Sequence, residues 1–83
     1  MYKIQFKESV AKDLKKISKA EIVKILTKIE TDLPNKAEKL PNLKGEFSGL
    51  KKYRIGDYRI IFCLPNETTI LITRIGHRSS VYK

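Results

Sequence analysis

The stretch KKYRIGDYRIIF, residues 51–62, carries four cations in twelve residues, yet alternates like a β-strand broken by a tight-turn pair. Side chains two apart on a strand share a face. Lys52 and Arg54 therefore project together, and Tyr53 and Ile55 project the other way. Across the Gly56–Asp57 turn, Tyr58, Ile60 and Phe62 share one face, and Arg59, Ile61 and Cys63 the other. With Tyr58, Ile60 and Phe62 turned into a core, Arg59 emerges beside Lys52 and Arg54. Arg78 and Tyr82 follow the last predicted strand, within reach of the same face. Clustered cations with a tyrosine at the margin suit an extended anion. A nucleic acid backbone fits, with a base stacked on the tyrosine. The plain alternative is an open sheet face dressed in Lys and Arg for solubility.

The charge balance agrees with a polyanionic partner. Eighteen Lys and Arg against nine Asp and Glu give the 83-residue chain a formal charge of +9, which bears on partners rather than on fold. Residues 1–43 hold ten basic side chains, all lysine, and six acidic ones, as on a solvated helix face. Residues 44–83 hold eight basic and three acidic, including all four arginines: Arg54, Arg59, Arg74 and Arg78. Arginine's planar fork matches phosphate better than lysine's point charge does. One cysteine, Cys63, rules out an internal disulfide and points to a reducing cytoplasm. One Cys and one His argue against a zinc site, and no cofactor is implied. Glu46, Asp57 and Glu67 are too scattered for a carboxylate dyad. No apolar run approaches the roughly 20 residues of a membrane span, and MYKIQFKESV lacks the apolar core of a signal peptide.

The elements that must position these residues follow from periodicity. Residues 2–7 alternate as a half-buried strand, with Tyr2, Ile4 and Phe6 on one side. Ser9 is placed to cap a helix over about 10–17. Ser18 and Glu21 form a capping box for the next helix, whose stripe Ile22, Ile25, Ile29, Leu33 ends at Pro34. Ala37–Leu40 adds a turn. The period then changes to two: strands over 49–55, 58–64 and 69–75, joined by Gly56–Asp57 and by residues 65–68, make a meander. The last strand is apolar on both faces and therefore central, which leaves its inward side open. The order β-α-α-β-β-β over a single domain, 1–83, predicts an α+β fold of two layers. It has a small antiparallel-type sheet with an N-terminal helical hairpin on one face.

YRIGDYRIIF, followed by a short turn and a strand ending in IGHRSSVY, resembles the C-terminal half of RelE/ParE-superfamily toxins. These are the toxic partners of type II toxin–antitoxin pairs. YKIQFKESVAKDLKKI is similar to the family's opening strand and first helix, so the resemblance spans essentially the whole chain. It implies a RelE-like microbial ribonuclease-type fold, a cytoplasmic location, and a cognate antitoxin bound in a hetero-oligomer. Two activities are implied. RelE-like members cut mRNA in the ribosomal A site, whereas ParE-like members poison DNA gyrase. RelE-like toxins carry paired basic residues before the GDYR turn, its arginine, an arginine after the last strand and a tyrosine near the C-terminus. Lys52, Arg54, Arg59, Arg78 and Tyr82 match those positions, which favours the endoribonuclease, with ribosome and mRNA as partners. The third possibility is a basic binding module without activity.

Metal-independent RNA cleavage uses the ribose 2′-OH as nucleophile. It needs a base, stabilisation of a phosphorane-like transition state and an acid for the leaving 5′ oxygen. An arginine cluster supplies the second. Lys52 is the candidate base, because neighbouring like charges favour its neutral amine. The resemblance gives Arg78 the leaving group, and Tyr82 would stack on a base and orient the 2′-OH. His77, whose side chain titrates nearest neutrality, is an additional acid–base candidate. The alternative for His77 is a loop histidine pointing away from the face to which Arg78 points.

Overall fold

The computed structural model describes residues 2–43 and 49–77. Four strands, β1 (Lys3–Phe6), β2 (Lys51–Ile55), β3 (Tyr58–Asn66) and β4 (Thr69–His77), form one sheet in the order β1-β4-β3-β2. Between β1 and β2 come α1 (Glu8–Leu14), α2 (Lys19–Thr31), the single turn α3 (Leu33–Lys36) and a 3₁₀ turn, Ala37–Lys39. The α+β architecture is the one the sequence predicts, and β4 is central as expected; the order differs by α3, which starts at Leu33 and takes in Pro34, where the sequence pattern ends the second helix. The sheet departs from antiparallel in one respect. β2, β3 and β4 form an antiparallel meander, but β1 runs parallel to β4, with Ile4 opposite Ile70. The helices carry the chain back across the sheet between β1 and the meander, and β1 closes the edge beside the last strand rather than beside its sequence neighbour.

The core lies between helices and sheet. Val10, Ile25, Ile29, Leu33 and Ala37 meet Tyr53, Ile60, Phe62, Ile70, Ile72 and Ile75, all buried. The period-3.6 stripe of α2 and the period-2 rows of the strands thus bury the same surface. Ser18 caps α2 as predicted, its Oγ accepting from the Glu21 N–H at 3.3 Å. Ser9 does not cap α1, which starts at Glu8 after Lys7. Its hydroxyl donates instead to the Thr73 carbonyl at 2.8 Å, tying α1 to β4. Phe6, predicted to be half-buried with Tyr2 and Ile4, is 45 % exposed. β1 is an edge strand, and Phe6 lines an open groove beside α1 and α2.

Two irregularities shape β3 and β4. Both strands run two residues beyond their predicted ends. Pro65 does not end β3, because it falls in a register shift between Cys63 and Asn66 where no ladder N–H is needed. The Asn66 side chain then accepts from the Thr68 N–H at 2.9 Å, shaping the two-residue turn. The second shift lies between Ile61 and Phe62, which pair with Arg74 and Ile72, leaving Thr73 as an extra residue. This is a β-bulge. Its Thr73 hydroxyl donates to the Ile61 carbonyl at 3.1 Å.

Candidate functional site

The hairpin of β2 and β3 builds the site. Gly56 has φ +57, and no other described residue but Gly49 has a positive φ. Glycine at the first central position of a two-residue turn is the II′ arrangement, whose twist matches the strands. Ile55 therefore pairs with Tyr58, Arg54 with Arg59, Tyr53 with Ile60 and Lys52 with Ile61. Residues directly opposite share a face. Tyr53 and Ile60 are buried under the helices, so Lys52, Arg54 and Arg59 project from the other face, as the alternation predicts.

β2 is fixed from its inward side. The Tyr53 hydroxyl donates to Asp32 Oδ2 at 2.5 Å, and Lys36 Nζ lies 3.1 Å from the same oxygen. Asp32 sits at the joint between α2 and α3. Burial, then the hydrogen bond to Asp32, holds the Tyr53 phenol above its ordinary range. The Tyr53 hydroxyl, then Lys36, holds the Asp32 carboxyl below its own. Lys51 Nζ donates to the Leu40 carbonyl at 2.7 Å. With Tyr53 pinned between them, Lys52 and Arg54 have no freedom to exchange faces.

The electrostatics of the outer face are unbalanced. Arg54 and Arg59 are cross-strand neighbours of like charge. Lys52 and Arg59 are partly exposed and Arg54 exposed. Arg59 Nη1 is buried and has no hydrogen-bond partner among the described residues. Beside them Ile61 is 3 % exposed although it lies on the face away from the helices. An anion laid across this face would satisfy the orphaned donor and relieve the like-charge pair.

Arg78 and Tyr82 lie outside the described residues. His77 is opposite Tyr58 in the ladder, with the rings edge to face at 5.9 Å. It therefore lies on the side of Tyr58 and Ile60, and the structure does not bring it to Lys52, Arg54 and Arg59. Sequence reasoning left one cation unplaced. The bulge at Thr73 reverses the alternation, so Ile72 and Ile75 both turn inward and Arg74 turns outward opposite Ile61. Arg74 Nε donates to Asp13 Oδ2 at 3.1 Å. Among the described residues no group of three or more His, Cys, Asp or Glu could hold a metal ion. None of their helices is long and apolar enough to cross a membrane.

Comparisons with known proteins place this arrangement. Toxin RelG of Mycobacterium tuberculosis is 26 % identical over 84 residues, covering 99 % of this chain and 97 % of the relative. In the RelBE2 toxin–antitoxin complex of the same organism, one chain superposes with a TM-score of 0.84 at 26 % identity. That match covers 93 % of this chain and 98 % of that one. The RelB–RelE antitoxin–toxin complex from Methanococcus jannaschii gives 0.64 at 29 % identity, covering 94 % of each chain. The family model for the ParE toxin of the type II toxin–antitoxin system parDE matches residues 4–82. The chain therefore belongs to the ParE toxin family of type II toxin–antitoxin systems, within the RelE/ParE superfamily of toxins.

Proposed function

We propose that this toxin is a ribosome-dependent endoribonuclease that cleaves mRNA in the A site and so inhibits translation. The observation that carries the reading is the Arg54–Arg59 pair, in direct register on the face away from the helices, with Arg59 Nη1 buried and without an acceptor among the described residues. Two guanidinium groups held in register supply the preorganised positive charge that stabilises charge developing on a phosphorane. In the proposed reaction the 2′-OH attacks the adjacent phosphorus, Lys52 takes its proton, and Arg54 and Arg59 hold the non-bridging oxygens. Arg78 supplies the proton to the departing 5′ oxygen, and Tyr82 stacks on a base. The products are a 2′,3′-cyclic phosphate and a 5′-hydroxyl. The resemblance to RelE-like sequences at all five positions supports the same reading.

The second reading, a ParE-like gyrase inhibitor, is favoured by the description of the matching family. One experiment separates the two. Primer extension on mRNA in a purified translation system, run beside a gyrase supercoiling assay, should give discrete ribosome-dependent stops and unaltered supercoiling. Inhibited supercoiling with intact mRNA would reverse the assignment.

The resting partner in this proposal is an antitoxin segment, acidic and amphipathic, disordered when free. A groove lined by Phe6, Val10, Ala11, Leu14 and Leu26 lies beside the helices, and Val23 on α2 is 63 % exposed. The apolar side of such a segment would lie there, with its carboxylates meeting the lysines of residues 12–28. Association should slow strongly as salt rises; salt-independent association would remove the lysines from the encounter.

A further inference from the structure

We propose that Arg74 is a further phosphate-contacting residue of this site, and that Asp13 is the residue that positions it. The inference rests on the reading of the outer face as a nucleic-acid interface. The bulge sends Arg74 outward in the ladder row Lys52–Ile61–Arg74, next to the row Arg54–Arg59–Gly76. Strands lie about 4.8 Å apart, so Lys52 and Arg74 stand roughly 10 Å apart across Ile61. An anionic chain crossing the sheet thus meets a cation on each of β2, β3 and β4.

Arg74 is held in an unusual way. Asp13 Oδ2 accepts from Arg74 Nε at 3.1 Å and from the backbone N–H of Ile75 at 3.0 Å. The Asp13 side chain is 12 % exposed and that of Arg74 41 %. β1 stops at Phe6, paired with Ile72, so the Ile75 N–H lies past the end of its neighbour strand and Asp13 takes the place of a ladder acceptor. One carboxylate oxygen therefore locks the guanidinium to the backbone of the next residue. A guanidinium has five N–H donors. Only Nε is engaged, and the four on Nη1 and Nη2 have no acceptor among the described residues. A carboxylate serving only to neutralise Arg74 would take the two-point fork that such pairs favour. Single-point attachment leaves the fork open for phosphate. Lys16, Tyr58 and His77 line the same cleft as Asp13 and Arg74, so the guanidinium stands at the margin between the helix side and the outer face.

The test is fluorescence anisotropy of a short, labelled single-stranded RNA with 2′-O-methyl riboses, which cannot be cleaved, titrated with the full chain between about 50 and 200 mM salt. Arg74→Gln should weaken binding about fivefold and lower the slope of log affinity against log salt by about 0.7, one phosphate on a single strand. Asp13→Ala is decisive in sign, because it removes the accepting oxygen together with the charge. Removing a negative charge beside RNA strengthens binding if charge alone matters, whereas loss of positioning weakens it, and weakening is expected. Arg74→Lys keeps the charge but not the fork, so affinity should fall with the slope unchanged. This arm also carries the test should Asp13→Ala not fold. If Arg59→Gln lowers the slope while Arg74→Gln does not, this inference fails and the interface reading stands. Wild-type binding indifferent to salt and to Arg59→Gln would overturn the interface reading, and this inference with it.

Discussion

Arg59 is expected to cost the free protein stability, and its replacement to make the protein more stable and inactive. Like charges directly opposite on adjacent strands destabilise by about 0.2–1 kcal/mol, and Arg59 faces Arg54 across the hairpin. A buried donor without an acceptor costs about 1–3 kcal/mol more, and Arg59 Nη1 has none among the described residues. Arg59→Met keeps an unbranched apolar stem on the face and removes both penalties. The expected gain is about 1–4 kcal/mol, and in a domain of this size each kcal/mol raises Tm by about 4–8 °C. Arg54→Met relieves only the pair and should gain about 0.2–1 kcal/mol. Thermal unfolding followed by circular dichroism gives both values. Added salt should shrink the Arg54→Met gain, which is screened, more than the Arg59→Met gain, which is mostly desolvation. An unchanged or lowered Tm for Arg59→Met would refute the reasoning, because it would mean that Nη1 finds its partner in solution and that the site carries no stored mismatch.

Three further outcomes are expected. Tyr53→Phe should lose about 1.5–3 kcal/mol, the value of a hydrogen bond to a charged group. Because the folded phenol titrates above its unfolded value of about 10, the wild-type advantage is full below that pH and fades as pH rises past it. Because the Asp32 carboxyl is held below its unfolded value of about 3.9, the advantage also fades as pH falls beneath that value. Urea midpoints of both proteins across pH would show a plateau with two falling ends; a constant difference at all pH values would exclude the Tyr53–Asp32 bond as its source. Gly56→Ala should cost about 1–2 kcal/mol from the left-handed backbone alone, since nothing lies within 4 Å of an added Cβ, and a variant as stable as wild type by urea denaturation would place Gly56 in another conformation. Arg78→Ala should leave the circular dichroism spectrum intact and abolish mRNA cleavage in primer extension; retained cleavage would remove Arg78 from the chemistry.

Lys52, Arg54 and Arg59 were legible because their hairpin is regular. A two-residue turn with glycine first locks the register, and strict alternation then assigns every face. Arg74 was not legible, because periodicity in β4 is interrupted by one residue and both candidate faces of that strand are apolar. Thr73 looks like any strand threonine, and only the paired register reveals it as the extra residue. Asp13 was hidden for another reason. Its partners, Arg74 and Ile75, lie 61 and 62 positions away, and a carboxylate near the end of a lysine-rich helix looks like surface charge. Ser9 misled because a cap and a long-range donor have the same local sequence. The parallel placement of β1 depends on where the chain goes after two helices, which local patterning does not encode.

That parallel pairing has a consequence for the order of events during synthesis. Lys3 pairs with Thr69 and Phe6 with Ile72, contacts separated by 66 residues of an 83-residue chain. α1 is tied through Ser9 and Asp13 to Thr73, Arg74 and Ile75. The first strand and helix therefore wait for the last strand. At about 5–20 residues per second, translation leaves them unpartnered for roughly 3–13 s. The β2–β3 hairpin needs only local closure, which is far faster. The cationic pair is thus assembled early and the scaffold that steadies it late. A nascent chain cannot complete this sheet until Thr69–His77 has been made, so the scaffold behind the cationic face closes only after β4 emerges.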